Sequence, residues 1–113
     1  MILRKKRCVL CESDVPPLSE KEEKDLLKSL SGWTINRDKT HRLIKTVKTE
    51  TFMNAIELVN NIAQIAEYEG HHPDIHLYYN KLTIELYTHK IGGLSENDFI
   101  LADKIDEIID QSQ

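Results

Sequence analysis

Ile75-His76-Leu77-Tyr78-Tyr79-Asn80-Lys81-Leu82-Thr83-Ile84-Glu85-Leu86-Tyr87-Thr88-His89 is the stretch on which the reading of this chain turns. Two runs rich in β-branched, aliphatic and aromatic residues flank Asn80-Lys81, a pair suited to a tight turn. In the second run Leu82, Ile84 and Leu86 alternate with polar positions, which is the period of a half-buried strand. The segment predicts an antiparallel hairpin with strands over 75–79 and 82–89. In such a hairpin the start of the first strand lies beside the end of the second. Whatever precedes Ile75 therefore meets His89 at one end of a sheet.

What precedes it is Glu67-Tyr68-Glu69-Gly70-His71-His72-Pro73-Asp74, and four of the five histidines fall between positions 71 and 89. Imidazole is the side chain whose unperturbed pKa lies nearest neutrality, so a convergent group can move protons at working pH. Thr51 is a good N-cap for a helix over about 52–68, with Phe52, Ile56, Val59, Ala63 and Ala66 at helical spacing as its core stripe. Gly70 ends that helix, and a helix C-terminus favours a protonated imidazole beside it. Pro73 confines His72 to extended backbone. His71, His72 and His89 are thereby brought to one place. His76 faces outward by strand alternation, and His41 follows a charged turn with no partner nearby in sequence. Both are read as structural or neutral.

Further upstream, Ser19 with Glu22 is a capping-box pattern that opens a helix carrying Leu26, Leu27 and Leu30, stopped at Ser31-Gly32. A short strand over 33–36, a turn at Arg37-Asp38-Lys39 and a strand over 41–48 follow, the latter with Leu43 and Val47 on one face. Ile91-Gly92-Gly93 reads as a flexible connector. Ser95 and Asp98 form a second capping box, opening a last helix with Leu101, Ile105 and Ile108 inward. The order α-β-β-α-β-β-α predicts an α+β fold: a four-stranded antiparallel sheet with helices packed on one face. Residues 1–18 read as an irregular arm and 19–113 as a single domain.

Composition narrows the function classes. The 113 residues are 40% hydrophobic and 30% charged, which suits one soluble globular domain with its own core. A formal net charge of −4 argues against a dedicated nucleic-acid binder. No apolar run approaches the ~20 residues of a membrane helix. The basic run Arg4 to Arg7 lacks the apolar core of a secretory signal and reads as a solvated terminus. The expected compartment is the cytoplasm. Cys8 and Cys11 form a Cys-x-x-Cys pair, but no second pair follows to complete a structural zinc site. His72 and His76 lie in extended chain, where four-residue spacing does not put ligands on one helical face, and no His-Glu-x-x-His occurs. No metal, cofactor or nucleotide is expected.

Together, Glu67-x-x-x-His71-His72-Pro73, Tyr79-Asn80-Lys81, Thr88-His89, Gly93-Leu94-Ser95-Glu96-x-Asp98 and Leu30-x-x-Trp33 resemble the pterin-4a-carbinolamine dehydratase family over roughly residues 19–110. The resemblance implies the fold just derived. It also implies dehydration of 4a-hydroxytetrahydrobiopterin to quinonoid dihydropterin and water, a step in pterin cofactor recycling. It matches the family's active-site histidines to His71, His72 and His89. His71 and His89 are expected as the acid/base pair and His72 as the group that binds and polarises the hydroxyl. Gly70, His71, His72, Pro73, Tyr87, Thr88, His89 and Lys90 are expected to line the pterin pocket, with Glu67 and Asp98 as possible support. A homodimer or homotetramer is implied. The rival readings are a non-catalytic dimerisation cofactor of a regulatory protein and a protein acting on another pterin, such as a molybdenum-cofactor intermediate. Retention of all three histidines favours the enzyme.

Overall fold

A computed structural model describes residues 16–112. Cys8, Cys11 and the basic run Arg4 to Arg7 lie outside the described residues. The elements are α1 (Glu20–Leu27), β1 (Thr34–Asn36), β2 (Arg42–Lys48), α2 (Phe52–Glu69), β3 (Asp74–Tyr78), β4 (Lys81–Leu86) and α3 (Glu96–Ser112). The four strands form one antiparallel sheet in the order β1-β2-β4-β3. This is the α+β architecture that the sequence predicts.

Alternation within the strands makes the sheet two-sided. Leu43, Val47, Leu82, Ile84 and Leu86 face the helices and join one core with Leu58 and Ile62 of α2 and with Phe99, Leu101 and Ile105 of α3. Complete burial of each such side chain contributes about 1.5–3 kcal/mol relative to leaving it exposed. The opposite face carries Arg42, Thr46, Asp74, His76, Thr83 and Glu85. Their cross-strand pairs include Thr46 opposite Thr83 and Asp74 opposite Glu85.

The first helix begins as expected. The Ser19 hydroxyl accepts from Glu22 N–H at 3.2 Å, and the Glu22 carboxylate accepts from Ser19 N–H at 2.9 Å. Thr51 caps α2 through Asn54 N–H, and Gly70 ends it at φ 67°, the left-handed region open to glycine without a Cβ penalty.

Four expectations are corrected. The buried stripe of α2 is Ala55, Leu58, Ile62, Ala66 and Glu69, whereas Phe52 is 44% exposed and Ala63 is exposed. This helix is apolar around much of its circumference, so packing against the sheet and α3 chooses the inward face, and spacing alone does not. The hairpin turn falls at Tyr79-Asn80, with Tyr79 at φ 55° and Lys81 already in β4. Finally, β4 stops at Leu86: β3 begins at Asp74, opposite Glu85, and the last pair with β2 is Leu43 with Leu86, although β2 runs one residue further to Arg42, whose guanidinium sits over the Tyr87 ring. The chain then folds back on itself. Thr88 and Gly93 form an isolated bridge around a 3₁₀ turn, His89–Ile91, so His89 opens a turn instead of ending a strand. Gly92-Gly93, expected as a loose connector, belongs to this hydrogen-bonded turn. A Cβ on Gly93 would lie 2.8 Å from Cβ of Pro17, so the close approach of the amino-terminal segment requires glycine there. Leu18 N–H donates to Leu94 O at 2.9 Å and ties that segment down.

Candidate active site

The pairing of β3 with β4 puts the segment before β3 and the segment after β4 at one end of the sheet. Asp74 opposes Glu85, so His71, His72 and Pro73 sit at the end of the sheet where β4 runs into Tyr87, Thr88 and His89. The amino-terminal turn of α3 closes the same end and contributes Asp98.

Asp98 is the hub. Its side chain is fully buried. Oδ1 lies 2.6 Å from Nε2 of His71. Oδ2 accepts from the Thr88 hydroxyl at 2.8 Å and from Ser95 N–H at 2.9 Å. The Thr88 and Ser95 hydroxyls are 2.9 Å apart. An ionised carboxylate only accepts, and a hydroxyl has one proton to donate. Thr88 gives its proton to Asp98, Ser95 gives its own to Thr88, and Nε2 of His71 carries a proton toward Oδ1. Nδ1 of His71 is then the ring nitrogen not engaged by Asp98. Negative charge at the first turn of a helix is favoured by the helix dipole, which suits Asp98 at this position.

The other sequence-predicted residues fall around this hub. His71 is only 12% exposed at its side chain, whereas His72 is 60% exposed and lies 3.4 Å from the exposed Glu67 carboxylate. A pair that exposed holds little energy. His89 is exposed, and its ring centroid is 4.3 Å from that of Tyr87, tilted by 47°. The Arg42 guanidinium sits 4.7 Å above the Tyr87 ring. Its hydrogen bond to Glu85, 2.7 Å, raises its already high pKa and keeps it charged. Gly70 and Lys90 are exposed and Pro73 is half-buried at the rim, while Thr88 is buried. His76 is exposed as expected and pairs with Glu85 at 2.9 Å on the outer face of the sheet, outside the Asp98 network.

Sequence reasoning left His41 without a partner. The structure places its Nδ1 2.8 Å from the buried carboxylate of Glu23, which also accepts from Arg37 at 3.1 Å. The alternating acidic positions of α1 hid this, because Glu23 reads as one solvated carboxylate among several. Among the described residues no group of three or more His, Cys, Asp or Glu side chains is disposed to hold a metal ion, and no helix is long and apolar enough to cross a membrane. A groove of about 710 Å³ runs along α2 and α3, lined by Asn54, Glu57, Asn61, Gln64 and Tyr68 among others. None of the three candidate histidines lines it.

A small α+β domain with three histidines near one sheet end, one of them, His71, held by a buried carboxylate, carries groups suited to proton transfer. Residues 16–108 match the family model described as pterin 4 alpha carbinolamine dehydratase. The chain belongs to the pterin-4-alpha-carbinolamine dehydratase family. It is 43% identical over 109 residues to "Pterin-4-alpha-carbinolamine dehydratase 2, mitochondrial" of Arabidopsis thaliana, covering 94% of this chain and 58% of that relative. This chain thus spans little more than half the plant protein. A relative from Rickettsia canadensis is 44% identical over 109 residues, covering 96% of this chain and 98% of its own. A Brucella melitensis crystal structure, described as a transcriptional coactivator/pterin dehydratase, superposes with a TM-score of 0.77 at 29% identity, over 81% of this chain and 97% of the other.

Proposed function

We propose that this chain dehydrates a 4a-hydroxytetrahydropterin, 4a-hydroxytetrahydrobiopterin in the first instance, to the quinonoid dihydropterin and water. The observation that carries the reading is the 2.6 Å contact of His71 Nε2 with a fully buried Asp98 that is also tied to Thr88, the neighbour of His89. The reaction breaks the bond from the 4a carbon to its hydroxyl and forms a carbon–nitrogen double bond. One proton must leave the ring nitrogen and one must reach the departing hydroxyl. Asp98 holds the Nε2 proton of His71, so neutral His71 presents the Nδ1 lone pair and takes the ring N–H proton. The carboxylate then faces the imidazolium that forms and stabilises it. His89, next in sequence to the Thr88 that holds Asp98, protonates the hydroxyl as it leaves as water. His72, exposed beside them, binds and polarises that hydroxyl. The net proton returns from His71 to His89 through solvent. General acid/base help of this kind contributes typically ~10²–10⁴-fold.

Gly70, Pro73, Tyr87 and Lys90 form the proposed rim of the pterin site, and the domain over 19–113 is the proposed functional unit. The proposed compartment is the cytoplasm and the proposed state a homodimer or homotetramer. Both outer strands, β1 and β3, have a free edge among the described residues, and light scattering of the purified protein reads the mass directly. A non-catalytic binding role is the second reading, favoured by the coactivator description of the Brucella relative.

A stopped-flow assay with 4a-hydroxytetrahydropterin separates the two. The wild type should exceed spontaneous dehydration, and His71→Ala and His89→Ala should each lose at least about 100-fold. A wild type no faster than the spontaneous reaction would sink the enzyme reading.

A further inference from the structure

We propose that Thr88 is a positioning residue: its buried hydroxyl, relayed from Ser95, fixes the Asp98 carboxylate so that His71 is held with its proton on Nε2 and its Nδ1 free for the substrate. The inference rests on the dehydratase reading and assigns Thr88 a different job from the pterin contact that the sequence suggests.

The geometry points this way on three counts. Thr88 is only 4% exposed, so its side chain has little surface to offer a ligand. Its hydroxyl is spent within the protein, donating to Asp98 Oδ2 at 2.8 Å while accepting from Ser95 at 2.9 Å. Its backbone is also fixed, because Thr88 N–H donates to Gly93 O at 2.8 Å and Thr88 O accepts from Gly92 N–H at 3.1 Å. One residue therefore clamps the base of the turn that carries His89 and the far oxygen of the carboxylate that holds His71. Without the Thr88 hydroxyl, Oδ2 keeps Ser95 N–H alone among the described residues, and the carboxylate gains freedom to rotate about its last bond. Oδ1 then no longer presents a single direction to His71. A small misplacement of a proton-transfer group lowers the rate far more than it lowers binding. The hydroxyl of a serine would preserve the relay, whereas the isosteric valine would not.

The test combines kinetics with a measurement that needs no turnover. Nitrogen-15 NMR of the imidazoles in the wild type should show His71 as the Nε2–H tautomer in its neutral form. An Nδ1–H tautomer overturns the inference whatever the activity. Thr88→Val should lower kcat about tenfold with KM changed less than twofold, and should show mixed His71 tautomers. Thr88→Ser should retain kcat within about twofold. Equal kcat for wild type and Thr88→Val, or equal losses of kcat in the valine and serine variants, overturns it as well. Should Thr88→Val not fold, Ser95→Ala, which removes the donor to Thr88 and leaves Ser95 N–H in place, should lower kcat about threefold, and no loss there overturns the proposal. A wild type without dehydratase activity is a failure of the enzyme reading alone, since the tautomer measurement still stands on its own.

Discussion

Two histidines in this molecule face fully buried carboxylates, and they are not alike. His71 meets Asp98 at 2.6 Å, and His41 meets Glu23 at 2.8 Å. The difference lies in what else each carboxylate holds. Glu23 also accepts from the Arg37 guanidinium, a permanent cation in the partly exposed turn between β1 and β2. Among the described residues, Asp98 accepts from neutral partners besides His71, the Thr88 hydroxyl and Ser95 N–H. The Glu23 cluster is neutralised whether or not His41 carries charge, and it fastens α1 to the β1–β2 hairpin. Among the described residues, the Asp98 cluster has His71 as its ionisable partner. A buried carboxylate held by neutral donors thus leaves its histidine as the group that answers its charge, which is the feature that the proposed role of His71 uses and that the Glu23 cluster lacks.

The largest effect expected is on catalysis at the Asp98 pair. Asp98→Asn keeps the shape but offers an amide N–H to Nε2, which turns His71 to the opposite tautomer and removes its Nδ1 lone pair. Dehydration should fall by about 100-fold or more, on the pattern of buried carboxylates that orient a catalytic histidine. The matching change at the other pair, His41→Ala, should leave kcat within about twofold. Equal losses at the two positions would erase the distinction drawn between them.

How far the sequence led differs between these two clusters. The β3–β4 hairpin was legible because period-two alternation and a turn pair fix strand direction locally, and direction alone brings His71 and His72 toward His89. Asp98 was legible as a helix cap but not as the partner of His71. The two are 27 positions apart, and their contact depends on where α3 docks on the sheet. The Glu23–His41 pair was illegible for the same reason across 18 positions, compounded by a helix whose neighbouring Glu20 and Glu22 are both exposed. The phase of α2 was lost because apolar residues such as Phe52, Met53 and Ala63 also occur off the buried stripe, so packing against the neighbours decides which face is covered. The 3₁₀ turn at His89 was hidden because strand-forming residues continue past Leu86, the last residue of β4 to pair in the sheet.

The second effect is on stability at the Glu23 pair. Glu23→Gln leaves Arg37 and His41 without their buried anion. Both are 31% exposed at their side chains and can recover water, so the cost should stay below that of stranding a fully buried charge. A loss of about 1–3 kcal/mol is expected, or roughly 4–8 °C per kcal/mol in Tm for a domain of this size. Activity below the transition should be unchanged. Thermal unfolding with parallel rate measurements checks both halves, and a folded but inactive variant would move Glu23 into the catalytic apparatus.

The smallest effect isolates the exposed carboxylate beside Glu23 on the same helix. Hydrogen bonds from Ser19 N–H and then from its hydroxyl hold the Glu22 pKa below its ordinary 4.5. A carboxyl whose pKa is lower folded than unfolded adds stability above its unfolded value, and that contribution disappears as pH falls through the folded value. Glu22→Gln retains the capping geometry without the charge. Urea midpoints of wild type and Glu22→Gln should therefore differ slightly at neutral pH and converge as pH drops below about 4.5. A gap that persists unchanged at pH 3 would mean that the Glu22 charge contributes nothing to holding α1. The whole attachment of that helix would then rest on its apolar side and on Glu23, which would make the structural pair more decisive than the present comparison allows.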